Sequence, residues 1–164
     1  MPGEPNLSQK LKELYGLTRL PVEGGYFAQT YRSTESSAGR PLGSAIFYLL
    51  DTDLDCFSAL HRLPTDEIYH FYLGDPVEML LLYPDGRTER VILGPDVFAG
   101  QRVQFVAPAD VWQGSHLCEG GRCALLGTTM APGYIDSDYT GGERADLVSQ
   151  YPDEAALIRR LTRG

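Results

Sequence analysis

Short runs with strand patterning, bounded by turn residues, fill most of this chain, and helical spacing appears only near its two ends. Asn6 can cap a helix whose Leu7, Leu11 and Leu14 share one face, with Gly16 as its stop. Pro152 and Asp153 open a second run, in which Leu157, Ile158 and Leu161 form an apolar stripe ahead of Gly164. Between them, turn residues separate short stretches of strand patterning: Tyr26–Ser33, Ser44–Leu50, Phe57–Leu60, Glu67–Leu73, Val77–Tyr83, Thr88–Leu93, Val103–Val106, Val111–Ser115 and Cys123–Met130. Pro84-Asp85-Gly86 predicts a tight hairpin turn, because Asp-Gly tolerates the positive φ angles that join twisted antiparallel strands. So many short strands must close into a barrel or sandwich to protect their edges. The expectation is an all-β fold with short peripheral helices at both termini.

Composition narrows this picture. A length of 164 residues with 43% hydrophobic content fills one core, and residues 1–164 read as a single domain. The 18 Gly and 11 Pro are spread along the chain and mark no linker. Lys and Arg total 14 against 22 Asp and Glu, and the net charge of -8 argues against nucleic acid or an anionic membrane as partner. A small-molecule ligand is the better expectation. No stretch reaches the roughly 20 apolar residues of a membrane-spanning helix, and the first residues lack the apolar core of a secretory signal, so the expected compartment is the cytoplasm. Cys56, Cys118 and Cys123 form no C-x-x-C pair and read as small filler residues, although a hairpin could bring Cys118 beside Cys123.

The segment His61–Gly74 concentrates the chemistry. Its Glu67 precedes Tyr69, Phe71 and Leu73 in strand alternation, which places one carboxylate among apolar side chains lining a cavity. Pro64 and Thr65-Asp66 mark a bend that lets His61 face Glu67 from an adjacent strand end. An imidazole and a carboxylate in one partly dry pocket can serve as general base and orienting group, or as ligands to a divalent metal. Alternation sends His70 to the opposite face, and His116, beside a turn, reads as a surface residue. Trp112 and Gln113 point to opposite faces, so one of them looks into the cavity. The same rule groups Thr30 and Arg32 with Tyr26 and Ala28, and Arg32 there can bind a carboxylate or phosphate. The Pro132-Gly133 turn can bring Tyr134 over the pocket mouth.

Together these residues resemble the cupin superfamily, whose first motif runs G, His-x-His, Glu and G and whose second runs G, Pro-x-G, His and Asn. Glu67 and Gly74 have the first motif's spacing, His61 stands close to its histidines, and Pro108 with Gln113 follows the second motif's spacing from Pro to His. GGYFAQTYRS, DEIYHFYLGDP, the Pro-Ala-Asp-Val-Trp-Gln run and Ala131-Pro-Gly-Tyr134 are similar to a branch of small, mostly dimeric cupins known as a domain of unknown function. The resemblance spans roughly Leu7 to Asp138 and implies a double-stranded β-helix, the jelly-roll or cupin barrel, in a homodimer. The departures matter as well. Metal-holding cupins usually present three His and one Glu, whereas here Arg62 or Leu63 stands at the second His and Gln113 at the third.

The resemblance therefore implies a small-molecule enzyme working by acid and base chemistry with no tightly held metal or other cofactor, similar to the epimerases and isomerases of the superfamily, on a polar or anionic metabolite. His61 is the expected base, Glu67 orients or polarises, Tyr69 or Tyr134 is the acid, and Thr30, Arg32, Phe71, Trp112 and Gln113 hold the substrate. Two other readings stand beside it. One is a ligand-binding or sensing module; the other is a metal-dependent dioxygenase or hydrolase with His61, Glu67 and Gln113 as ligands.

Overall fold

Both faces of the central strands are apolar, and the fold answers this with two antiparallel sheets packed on each other and helices covering their outer faces. A computed structural model describes residues 6–164. The elements are α1 (Leu7–Tyr15), β1 (Thr18–Arg19), β2 (Tyr26–Arg32), β3 (Ser36–Ser37), β4 (Arg40–Pro41), β5 (Ser44–Asp51), β6 (Ser58–Arg62), β7 (Glu67–Gly74), β8 (Val77–Leu82), β9 (Thr88–Leu93), β10 (Gln104–Ala107), β11 (Trp112–Leu117), β12 (Cys123–Met130), β13 (Thr140–Gly141), α2 (Arg144–Gln150) and α3 (Ala155–Arg160). One sheet runs β1-β2-β5-β12-β7-β10 and the other β13-β6-β11-β8-β9, with β3 and β4 as a small separate ladder. This is the expected jelly roll, mostly β with short helices near both ends.

Tyr48, Leu50, Tyr69, Phe71, Met79, Leu81 and Leu126 pack between the sheets. Leu80 and Leu82 point the other way, into a second cluster with Leu147, Leu157, Ile158 and Leu161 from α2, α3 and the residue after α3. Leu80, Leu81 and Leu82 are all fully buried, which explains why β8 reads as a continuous apolar run. Each such leucine contributes about 1.5–3 kcal/mol of burial. A third cluster joins Leu11 of α1 to Leu49 and Leu125 on the outside of the larger sheet.

The predicted helix caps hold: the Asn6 side chain accepts from Gln9 N, and Gly16 adopts the left-handed conformation. The predicted apolar face of α1 does not, because only Leu11 is buried while Leu7 and Leu14 lie in solvent. Helix α2 was not foreseen, since Leu147 is its one buried residue and leaves no stripe to detect. Pro152 opens a 3-10 turn ahead of α3, and Leu161 caps that helix.

Strand β2 carries the departure that matters most. Gln29 pairs with Ile46 and Tyr31 with Ala45, so Thr30 is the extra residue of a β-bulge. The bulge shifts the phase, putting Arg32 on the face of Phe27 and Gln29 and away from that of Tyr26 and Ala28.

Candidate functional site

A cavity of about 510 Å³ opens toward one end of the two sheets, within the range of small-molecule pockets. β2 contributes Phe27, Gln29 and Arg32 to its wall, β5 contributes Ser44 and Ile46, and β12 contributes Thr128 and Met130. His61 of β6 and Glu67 of β7 face it, and Glu23 enters from the turn before β2. Its roof is the segment from Tyr134 to Tyr139, which follows β12. Short polar contacts pin this roof. Ser44 Oγ accepts from Tyr134 N at 2.9 Å, Arg32 donates to the Tyr134 carbonyl at 2.8 Å, and Arg40 grips both oxygens of Asp138 at 2.6 and 2.7 Å. β13 then pairs with Arg62 and His61, which stacks the Tyr139 ring on the imidazole at 5.1 Å between centroids and 15° between planes.

The His61 ring is 2% exposed, and its Nδ1 lies 2.7 Å from the Ala59 carbonyl. A carbonyl only accepts, so Nδ1 carries a hydrogen, and in the neutral ring Nε2 is the nitrogen with the lone pair. Glu67 is buried at the inner end of β7, where its Oε2 accepts from the Tyr69 hydroxyl at 3.2 Å and from Gln113 Nε2 at 3.0 Å. Burial pushes the Glu67 carboxyl above its ordinary range; His61 opposes this effect and Glu23 reinforces it. Burial likewise raises the phenols of Tyr69, Tyr134 and Tyr139, so all three keep their hydroxyl proton at neutral pH, and that of Tyr69 is donated to Glu67.

Of the residues singled out in the sequence, His61, Glu67, Arg32 and Tyr134 meet in this cavity. Gln113 lies just behind it: it is the inward residue of its strand pair and binds Glu67, while its Oε1 has no partner among the described residues. Trp112 faces outward against the second apolar cluster, with the Arg62 guanidinium 4.8 Å from its ring. It does not line the cavity. Tyr69 and Phe71 are core residues between the sheets, and Tyr69 reaches the site only through its bond to Glu67. Thr30 is exposed on its bulge and lies off the cavity wall.

His116 corrects a surface assignment. It is a residue of β11, 5% exposed, with Nε2 3.0 Å from Glu78 and Nδ1 2.6 Å from the Leu117 carbonyl. His70 is half-buried on the outer face beside Thr129, as alternation requires. Sequence reasoning missed Glu23, Gln29, Thr128 and Tyr139. Glu23 had a signal, the Gly24-Gly25 pair that lets the backbone turn sharply beside it; Tyr139 had none, because a distant strand pairing brings it to His61.

The residues present do not fit the three-His, one-Glu metal site of cupins. Gln113 directs its N–H groups at Glu67, the reverse of what a ligand offers, and the Glu67 oxygen it meets already accepts from Tyr69. Among the described residues, no three His, Cys, Asp or Glu side chains converge on one point.

Residues 9–141 match the family model described as Cupin superfamily (DUF985). The chain is 28% identical to the uncharacterized protein YML079W of Saccharomyces cerevisiae, across 98% of this chain and 89% of that protein. Among solved structures, protein SO0799 from Shewanella oneidensis is 30% identical with a TM-score of 0.88, covering 97% of this chain and 99% of its own. A hypothetical protein from Leishmania major is 25% identical with a TM-score of 0.86, covering 97% and 100%. A dTDP sugar isomerase from Desulfovibrio desulfuricans, 18% identical with a TM-score of 0.52 over 77% and 80% of the two chains, shares the fold alone. With two packed sheets, a cavity between them and a family match over most of its length, the chain belongs to the cupin superfamily, in the DUF985 family.

Proposed function

We propose that the cavity binds a polar small molecule and works on it by acid and base chemistry, as an isomerase or epimerase would, with no tightly held metal. The observation that carries this reading is the setting of His61: its Nδ1–H is committed to Ala59, which leaves Nε2 as the ring nitrogen free to exchange a proton, on a residue that lines the cavity beside a buried Glu67. Glu67, fixed by Gln113 and Tyr69, orients or polarises the ligand, and Tyr134 supplies the acid hydroxyl from the roof. Tyr69 is a positioning residue, because its hydroxyl is spent on Glu67. Arg32 at the rim offers the free part of its guanidinium to an anionic group. The reaction class comes by analogy with the sugar isomerase that shares the fold, and the residues supply its base and acid.

The test is a metabolite screen by thermal shift followed by a turnover assay. A compound that stabilises the protein and is converted, with conversion lost in His61→Ala, is the expected result; stabilisation without conversion would make the site a sensing module. Metal-free protein regaining activity on addition of Fe, Mn, Ni, Cu or Zn would favour a metal enzyme instead. The proposal extends to a homodimer. β1 covers only Tyr26 and Phe27 of β2, leaving the rest of that edge open, and Tyr31 and Tyr72 stand exposed on the same sheet. Light scattering that finds only monomer at micromolar concentration would refute this. Three free cysteines, with burial pushing the Cys56 thiol up to about 12 and that of Cys123 to about 11, are compatible with a cytoplasmic setting.

A further inference from the structure

Strands β2 and β5 are neighbours in one sheet, and a short turn could join them; the chain instead runs out through the β3–β4 ribbon, residues 33–43. Ala38 and Gly39, with φ of 51° and 75°, form the two-residue turn of this ribbon, and its ladder pairs Ser37 with Arg40 and Ser36 with Pro41. Leu42 N–H donates to the Glu35 carbonyl at 3.1 Å and Ser33 N–H to Gly43 at 2.9 Å, which ties the ribbon back to the sheet. A two-stranded ribbon is marginal by itself, so its order needs a partner. Residues 34–39 are exposed; Arg40 and Pro41 are withdrawn from solvent, and these two meet the roof of the cavity.

Arg40 spans that roof. Its guanidinium holds both oxygens of Asp138, and Nη1 also reaches the Gly133 carbonyl at 3.1 Å, so one side chain ties the start of the roof segment to its far end. Among the described residues, Arg40 pairs with no other acid and Asp138 with no other base. The Asp138 side chain is 3% exposed and also accepts from Ile135 N–H at 3.1 Å, which closes the segment on itself. Gly133 N–H donates to Pro41 at 2.8 Å, and a Cβ on Gly133 would stand 2.8 Å from Pro41 Cγ and from the Gly43 carbonyl carbon, so ribbon and roof meet at backbone distance. The residue after Asp138 is Tyr139, whose ring lies parallel to the imidazole of His61. That imidazole has two restraints: the Ala59 carbonyl fixes its rotation through Nδ1, and Tyr139 covers one face.

We propose that Arg40 is a positioning residue for His61: from the β3–β4 ribbon it clamps Asp138, and the clamp sets Tyr139 against the imidazole and so fixes the direction in which Nε2 faces the cavity. The proposal rests on the reading of His61 as the base. Proton transfer is efficient only from a group held in one geometry, and a ring restrained at Nδ1 alone can still tilt about that bond. Arg40 is not a lining residue of the cavity, and it reaches the base through Asp138 and Tyr139 in turn. The ribbon supplies the one grip on Asp138 from outside the roof segment, while β13, pairing Gly141 with His61, holds the chain on the other side of Tyr139.

Carbon–proton correlation spectra of the histidine rings read this arrangement, because the chain has 3 histidines and so few ring signals to assign. His61→Gln identifies the His61 signal by its loss, and Tyr139→Leu gives its position with no ring stacked on it. Arg40→Met is expected to carry the His61 signal most of the way to the Tyr139→Leu position at the same pH. Arg40→Lys carries it a shorter way, because lysine keeps the charge and loses the fork. Arg40→Met combined with Tyr139→Leu moves it no further than Tyr139→Leu alone, since both act through one contact. The His70 and His116 signals stay in place, as their bonds to Thr129 and Glu78 lie away from the roof, and Arg87→Met, which breaks an exposed pair with Asp85, moves none of the three. A His61 signal that stays put in Arg40→Met while Tm falls overturns the proposal and leaves the β13 pairing as what holds Tyr139. Asp138→Asn keeps the size of the side chain and removes its charge, and it carries the same test if Arg40→Met does not fold. A metabolite screen that finds no ligand removes the reading of His61 as the base, and the spectra still decide whether Arg40 sets the ring.

Discussion

Gly25 and Gly39 share a φ of 75°, and this coincidence separates two effects that usually arrive together. An alanine at either position carries the same left-handed backbone penalty, about 1–2 kcal/mol, and the same gain from a stiffer unfolded chain. At Gly39 the added Cβ meets nothing within 4 Å. At Gly25 it meets the Tyr48 ring, with Oη at 2.5 Å, Cζ at 2.7 Å and Cε2 at 2.8 Å. Tyr48 is 2% exposed and its hydroxyl bonds the Gly24 carbonyl, so the ring has nowhere to go without breaking that bond. Overpacking a core typically costs 1–3 kcal/mol, and an orphaned buried hydroxyl adds about 1–3 kcal/mol. Gly25→Ala is therefore expected to lose roughly 2–6 kcal/mol more than Gly39→Ala in urea unfolding followed by far-UV circular dichroism. A difference below about 1 kcal/mol would refute the close approach of Tyr48 to the Glu23 turn.

Glu67→Gln tests the buried carboxyl. Burial raises its pKa in the folded state, so its contribution is complete below the unfolded carboxyl value near 4.3 and is lost as pH rises through the folded value. The variant should gain in Tm over the parent as pH increases from about 4 to 8, and a constant difference across that range would contradict the assignment. Tyr69→Phe removes a donor to Glu67 and should cost about 1 kcal/mol while raising the Glu67 midpoint further; an unchanged carbon-13 titration would count against the bond. Trp112 faces the outer cluster, so Trp112→Phe should leave ligand affinity within about twofold by calorimetry, and a tenfold loss would return Trp112 to the pocket wall.

The strands were legible because short apolar or alternating runs stand between Pro, Gly and Asp residues that mark where each strand stops. Thr88–Leu93 and Cys123–Met130 keep the ends that patterning gives them, and Glu67–Gly74 differs by one residue. Within the site, His61 and Glu67 were legible for the same reason: a polar residue out of place in an apolar strand has few explanations. Residues that enter the cavity through long-range pairing were not. Tyr139 reaches His61 because β13 adds to the edge of β6, and Arg163 reaches the Glu23 turn across 140 residues, contacts that leave no local period in the sequence.

The case of Arg32 shows how a correct residue can follow from an incorrect rule. Strict alternation put it on one face with Tyr26, Ala28 and Thr30, and that face is not the cavity. The bulge at Thr30 consumes one residue, so every side chain after it changes sides relative to those before. Thr30 loses its place on the wall and Arg32 gains one, with Ser44 as its cross-strand partner. A bulge is invisible to periodicity because it is a single phase error flanked by two regular runs. It is also where a strand re-aims a side chain, and here the side chain re-aimed is the one Lys or Arg among the described residues that line the cavity. Deleting Thr30 should restore regular pairing with β5 and leave Arg32 on the cavity side, because Phe27, Gln29 and Arg32 then follow one another at strict two-residue spacing. The deletion should keep the fold by circular dichroism and keep affinity for anionic ligands, whereas Arg32→Gln should lose affinity for anionic ligands while retaining neutral ones. Loss of anionic ligands on deleting Thr30 would refute the bulge as the cause of Arg32's orientation, and equal affinity for both classes in Arg32→Gln would show that the rim cation plays no part in recognition.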